Sequence, residues 1–152
     1  MLFRSNDTAT TEIYTRRHTL SLHDLFRSGA PFDLAVVDVS FISLRTVLPH
    51  VAALLGEGGA IVALVKPQFE AGKGRVGKKG VVKDAGVHAE VLEAAARAAT
   101  EAGFVVRGLT FSPIKRPEGN IEFWLWAARE GEPTPRTAKD VVDEAHATLG
   151  ES

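Results

Sequence analysis

The sequence predicts an α/β fold, a mostly parallel sheet with helical crossovers and an antiparallel edge strand. Three observations predict it. Phe32-Asp-Leu-Ala-Val-Val-Asp-Val39 contains a continuous apolar run bounded by acids, the pattern of a strand buried on both faces, and Gly59-Ala-Ile-Val-Ala-Leu-Val65 is a second run of strand length. Between and after them, apolar residues recur at helical spacing. Two last strand-like runs, 104–111 and 121–128, follow one another without a helix, which implies an antiparallel pair at the end of the sheet.

The opening stretch, through Asn6 to Tyr14 and His18 to Asp24, has neither period and no apolar face. Leu2-Phe-Arg-Ser5 recurs as Leu25-Phe-Arg-Ser28, a repeat that a folded domain does not require, and the stretch resembles the translation of a DNA-sequencing adaptor. Residues 1–28 are therefore expected to be non-biological and outside the fold. A disordered or strand-forming arm is the alternative. The first strand, 32–39, leads to Ser43, which caps a helix carrying Leu44, Val47, Leu48, Val51 and Leu55 and stopped by Gly56, with Pro49 disturbing its early turns. The second strand, 59–65, runs into a glycine- and lysine-rich loop, 67–83. Asp84 then caps a long helix whose apolar face is Val87, Val91, Ala95, Ala98 and Ala102, ended by Gly103. His88 is expected on its surface. A turn-rich connection, 113–119, joins the closing strands, where Phe111, Trp124 and Trp126 read as core or edge packing. Beyond the prolines and glycine of 129–135, Thr137 can cap a helix with a thin stripe of Val141, Val142, Ala145 and Leu149. A docked helix and a frayed tail both fit that stripe. The expected division is 1–28, a domain over 29–130 and a tail over 131–152, without an internal repeat.

A net charge of −1 over 152 residues excludes a wholly basic nucleic-acid protein. Charge is uneven, however: Lys66, Lys73, Arg75, Lys78, Lys79 and Lys83 crowd one segment against Glu70 and Asp84, and local sign governs a phosphate partner. With no cysteine there is neither a disulfide framework nor a thiolate metal site. No apolar run reaches the length of a membrane span and no signal-peptide core opens the chain, so a soluble cytoplasmic protein without a membrane partner is expected.

Three strings sit at strand ends: Asp38-Val-Ser-Phe-Ile-Ser43, Leu64-Val-Lys-Pro-Gln-Phe-Glu70 and Asn120-Ile-Glu-Phe123. They put an acid, a lysine and an acid where open α/β sheets carry out chemistry. Each alone has a plainer explanation. Asp38 would serve as a capping or turn acid, Lys66 as a solvated lysine, Glu122 as a polar position on an edge strand. Lys66 between Val65 and Pro67 is poorly placed to face only solvent, and Ile121, Phe123 and Trp124 make a solvated face at Glu122 less comfortable.

Together the strings closely resemble the second half of a TlyA-type (hemolysin A-like) RNA 2′-O-methyltransferase of the FtsJ-like class, over about 32–128. The resemblance implies the carboxyl half of a class I (Rossmann-like) methyltransferase sheet, S-adenosylmethionine as cofactor, and ribosomal RNA or ribosomal subunits as partner. The reaction it implies is methylation of a cytidine 2′-hydroxyl. FtsJ-like enzymes use a Lys-Asp-Lys-Glu tetrad. Asp38 matches its aspartate, Lys66 its second, basic lysine, and Glu122 its glutamate; the first lysine has no counterpart here. Asp38, Ser40 and Phe41 are expected to form one wall of the cofactor pocket. In the family an S4-like domain and an Asp/Gly-rich cofactor motif precede this region. Their absence makes the missing amino-terminal half of the domain an expected partner, and the chain alone is expected not to bind the cofactor.

Methyl transfer to a ribose hydroxyl needs in-line positioning and a group to take the hydroxyl proton. A lysine can be that base when partial burial or a neighbouring cation loosens its proton. Gly72, Gly74 and Gly77 spell a G-x-G-x-x-G, and 72–79 nearly spell a phosphate-binding loop, but no helix opens there and Lys79 stands where Ser or Thr is needed. The 67–83 segment reads instead as a mobile basic loop whose Lys73, Arg75, Lys78 and Lys79 meet RNA phosphates, with Lys115 and Arg116 extending the rim. A solvated loop with incidental charge is the alternative. The histidines have no metal-ligand spacing, and no Ser-His-Asp set is recognisable. Two other functions stay open: a catalytically silent α/β module that binds RNA or protein through the basic loop, and a cytolysin, which would call for an amphipathic or spanning apolar segment.

Overall fold

The structure, a computed structural model, describes residues 2–3, 32–77 and 79–149. Its elements are β1 (Leu2–Phe3), β2 (Phe32–Val37), α1 (Leu44–Ala52), β3 (Leu55–Val65), α2 (Pro67–Glu70), α3 (Ala85–Glu101), β4 (Val105–Phe111), β5 (Phe123–Ala128) and α4 (Ala138–Leu149). The strands form one five-stranded sheet in the order β1-β2-β3-β5-β4. β2 and β3 are parallel, while β5 runs antiparallel to both β3 and β4.

This corrects the expected fold in two ways. The antiparallel strand is not at the edge: β5 returns from β4 and inserts between it and β3, where Phe123, Leu125 and Ala127 are fully buried. The sheet is also not merely the carboxyl half of a larger one, but a single mixed sheet through the described chain, with β1 antiparallel on the outer edge of β2 (Leu2↔Ala35, Phe3↔Leu34). Leu2 and Phe3 belong to the stretch expected to lie outside the fold. The rest of that stretch, like Lys78 and 150–152, lies outside the described residues.

One face of the sheet carries α1, α3 and α4, with α3 in contact with both of the others. Burial on β5 therefore alternates, and Trp126 is half-exposed with the Arg107 guanidinium 5.1 Å from its ring centroid. Two-sided burial, expected for the first apolar run, is not found there and appears instead at the end of β3, from Ala63 to Val65. β3 also begins earlier than expected, because Leu55 pairs with Phe32 once α1 has ended at its Ala53 cap. Pro49 lies inside α1 without ending it. At the opposite end of the sheet from the three strings, Arg129 donates to the carbonyls of Ala52 (2.8 Å) and Ala102 (3.2 Å), tying the last turns of α1 and α3 together.

α3 starts at Asp84, whose Oδ1 accepts from Val87 N–H at 3.0 Å, and stops at Gly103, where φ is +90°. Its buried face is rotated slightly from the expected one and includes His88 and Leu92. His88 is thus not a surface residue: it is 1 % exposed and edge-on to Phe123. Its Nε2 donates to the Val82 carbonyl at 3.0 Å, and its Nδ1 lies 2.9 Å from His146 Nε2 on α4. Because a carbonyl only accepts, Nε2 carries the proton and Nδ1 accepts from His146. α4 is docked: Thr137 and Asp140 cap it reciprocally, and Ala138, Val141, Val142 and Ala145 are buried. The thin stripe packs against α3, whose own buried face is rich in alanine.

Burial, and then the neighbouring His146, lower the His88 pKa from 6.5 to about 4, against weaker opposing effects of the Val82 carbonyl and Asp84. Between those values the unfolded chain binds a proton that the folded chain refuses, so stability present above pH 6.5 is lost as pH falls towards 4. Urea unfolding should show that decline, and His88→Leu should flatten it. An unchanged slope in the variant would contradict the burial of a neutral His88.

Candidate active site at the strand ends

Strand direction brings the three strings together. β2 and β3 deliver Asp38 and Lys66 just past their carboxyl ends, and β5, being antiparallel, begins at that same end, with Phe123 opposite Val65. Glu122 immediately precedes β5. All three predicted catalytic residues are therefore at one end of the sheet.

Lys66 is 6 % exposed; its Nζ lies 2.5 Å from Asp38 Oδ1 and donates to Ser40 Oγ at 3.3 Å. Pro67 at the first position of α2 sets the single turn in which Phe69 and Glu70 N–H groups donate to the Lys66 carbonyl, so the lysine backbone is fixed. The Asp38 side chain is 56 % exposed, which leaves its outer side open to a ligand. Glu122 is 4 % exposed and does not pair with Lys66. Its Oε1 accepts from Arg116 Nε at 3.0 Å and from Gln68 Nε2 at 3.3 Å. Glu122 raises the Arg116 pKa, first through the hydrogen bond and then through its charge, with smaller contributions from Asp38 and Glu118. Ser40, Lys66, Gln68, Arg116, Asn120 and Glu122 are among the residues lining a cavity of about 370 Å³. Gln68 Oε1 is buried there without a hydrogen-bond partner.

The loop after β2 is held by an acid that no local pattern singles out. Glu70 accepts from Ser43 Oγ (2.7 Å) and from Leu44 N–H (2.8 Å), placing a carboxylate at the amino terminus of α1. Between these anchors Phe41 takes φ +63°, unusual for a residue with a side chain, and its ring is 89 % exposed with its centroid 4.6 Å from that of Phe69. Among the described residues it is the one non-glycine with positive φ.

The basic residues divide. Lys73 and Lys79 are exposed. Arg75 pairs with Glu90 on α3 at 2.5 Å, Lys115 donates to the Leu149 carbonyl at 3.0 Å, and Arg116, though half-exposed, pairs with Glu122. Lys78 is outside the described residues. Nor is the loop free at its far end. Buried Asn120 accepts from Val82 N–H (3.1 Å) and donates to the Gly80 carbonyl (3.0 Å), while Val81 and Val82 are buried. Sequence reading quoted Gln68, Glu70 and Asn120 within its strings but gave them no role. The missed signal was Pro67, which starts a helical turn and fixes where Gln68 and Glu70 point.

Removing Glu70 should unlock the two site loops. Glu70→Ala is expected to destabilise the chain by about 1–2 kcal/mol, the scale of a lost helix cap, measured by urea unfolding. No loss of stability would contradict the Ser43 and Leu44 bonds.

With this geometry in view, comparison with known proteins is decisive for the family. The FtsJ-like methyltransferase family matches residues 5–129. A Bacillus subtilis protein, YqxC, described as a candidate rRNA methyltransferase, is 48% identical over 132 residues, covering 83% of this chain and 47% of that protein. The 16S/23S rRNA (cytidine-2′-O)-methyltransferase TlyA of Mycobacterium tuberculosis is 43% identical over 123 residues, covering 81% and 46%. A solved Streptococcus thermophilus structure, described as a candidate hemolysin, superposes with TM-score 0.73 at 43% identity, over 80% of this chain and 45% of that one. The chain spans about half the length of the curated relatives it matches. The match from residue 5 overturns the reading of 1–28 as an adaptor-derived segment and of the likeness as confined to 32–128. A stretch without a helical or strand period carries no packing signal, yet it can still carry a family's sequence. The chain belongs to the FtsJ-like methyltransferase family.

Proposed function

We propose that this chain belongs to an enzyme that transfers a methyl group from S-adenosylmethionine to the 2′-hydroxyl of a cytidine in ribosomal RNA. The observation that carries the reading is the buried Lys66 held between Asp38 and Ser40 at the strand ends. The cofactor supplies an electrophilic methyl on a positively charged sulfur. The residues present fit such a group: the half-exposed Asp38 carboxylate and the exposed ring of Phe41 both favour a neighbouring cation. They, with Ser40, would form its wall.

Lys66 in its neutral form takes the proton that the 2′-oxygen sheds as the new carbon–oxygen bond forms. Asp38 and Ser40 fix the Nζ and then stabilise the ammonium that results. The rigid α2 turn keeps that nitrogen at the cavity mouth, which supplies the positioning that such a reaction chiefly needs. Exposed Lys73 and Lys79 meet RNA phosphates, in a salt-dependent way. Among the described residues no helix is long and apolar enough to cross a membrane.

The test is transfer of labelled methyl to ribosomal RNA by the full enzyme that contains this chain, with the product nucleotide mapped. Lys66→Ala should lower the single-turnover rate by about 10²–10⁴-fold with little change in cofactor affinity. Asp38→Ala should damage both. Full methylation by Lys66→Ala would remove the lysine as base, and RNA binding without any transfer by the unaltered full enzyme would favour the silent RNA-binding module.

A further inference from the structure

Arg116 reads from the sequence as part of a basic rim facing RNA, but its half-exposed side chain is paired with Glu122. The Nε contact to Glu122 is 3.0 Å, and that acid is 4 % exposed. The backbone beneath it is preset. Arg116 N–H donates to the Asn120 carbonyl (3.1 Å) and its own carbonyl accepts from Gly119 N–H (2.8 Å), in a turn where Gly119 has φ +101°. Asn120, which closes that turn, also grips Gly80 and Val82 across the cavity.

A buried carboxylate stripped of its cation is costly, and it recruits whatever cation is within reach. The charged groups lining this cavity are Lys66, Arg116, Glu118 and Glu122, with Asp38 beside Lys66. Without Arg116, Lys66 is the cation left among them. It would then face two carboxylates at close range instead of one, and each added negative charge makes an ammonium hold its proton more firmly. A lysine so held is less often in the neutral form that can take a proton near neutral pH.

Resting on the methyl-transfer reading above, we propose that Arg116 is a positioning residue: it takes up the charge of buried Glu122 and so leaves Lys66 with Asp38 as its carboxylate partner, able to release its proton.

Arg116→Met and Arg116→Lys separate this from a simple phosphate contact. In single-turnover and steady-state methylation of ribosomal RNA, R116M should lower kcat about tenfold or more near neutral pH with the RNA KM nearly unchanged, and should regain rate as the pH is raised by about one to two units. R116K, which keeps the charge but loses the planar donor, should recover part of the loss. A raised RNA KM with unchanged kcat and pH profile would overturn the proposal and return Arg116 to the RNA rim. The second measurement needs no activity. A crystal structure of R116M should show Glu122 within about 4 Å of Lys66 Nζ; Glu122 left on Gln68, with Lys66 still on Asp38 alone, would overturn the proposal. If R116M does not fold, R116K carries both measurements with effects of the same sign and smaller size, and an unshifted pH profile overturns it. Failure of the unaltered full enzyme to methylate would instead sink the methyl-transfer reading, while the crystal structure would still decide the role of Arg116.

Discussion

The antiparallel pairing of β5 with β3 is the constraint on which the site depends. With Val65 opposite Phe123, the residue after one strand and the residue before the other, Lys66 and Glu122, come to the same end of the sheet. Parallel pairing of β2 with β3 adds Asp38 there. A β5 of reversed direction would carry Glu122 to the far end, about 20 Å away for a strand of this length. The hairpin-like return from β4 therefore shapes the candidate site as well as completing the sheet.

Around that junction the chain uses few but buried polar contacts. Glu70 and Ser43 fix the loop after β2, Lys66 and Asp38 fix its start, and the strained Phe41 between them is held exposed by anchors on both sides. Backbone strain of this kind persists where the surroundings over-determine it, typically at functional sites. On the other side of the cavity, Val82 is clamped through both of its backbone groups, by Asn120 and by His88. His88 in turn joins His146, so the docking of α4 and the seating of the basic loop share one buried network. Arg129 secures the helices at the opposite end of the sheet, leaving the strand ends as the place where loops converge.

Much of this was legible because the relevant signals are local. Strand length, caps at Ser43 and Asp84, the stop at Gly103 and the three strings with their acid, lysine and acid all follow from short-range pattern. What was not legible depends on partners distant in sequence. That β5 inserts beside β3 is a choice of neighbour, which periodicity does not encode. His88 reads as a surface residue until α4 supplies His146 and the loop supplies the Val82 carbonyl, 58 and 6 residues away. Arg75, Lys115 and Arg116 read as free cations because their partners, Glu90, the Leu149 carbonyl and Glu122, are brought to them by folding. The opening stretch is illegible for a different reason: it has no period from which packing can be read, yet the family match begins at residue 5.

The most direct test of the central claim is a crystal structure with S-adenosylhomocysteine and a cytidine-containing ribosomal RNA oligonucleotide. The account predicts the cytidine 2′-oxygen within about 3 Å of Lys66 Nζ, hydrogen-bond reach for a general base, with Asp38 still on the lysine and the cofactor sulfur beside Phe41. A ribose bound away from the strand ends, for example in the apolar groove between α3 and β4 lined by Ala96, Phe104 and Leu109, would contradict it.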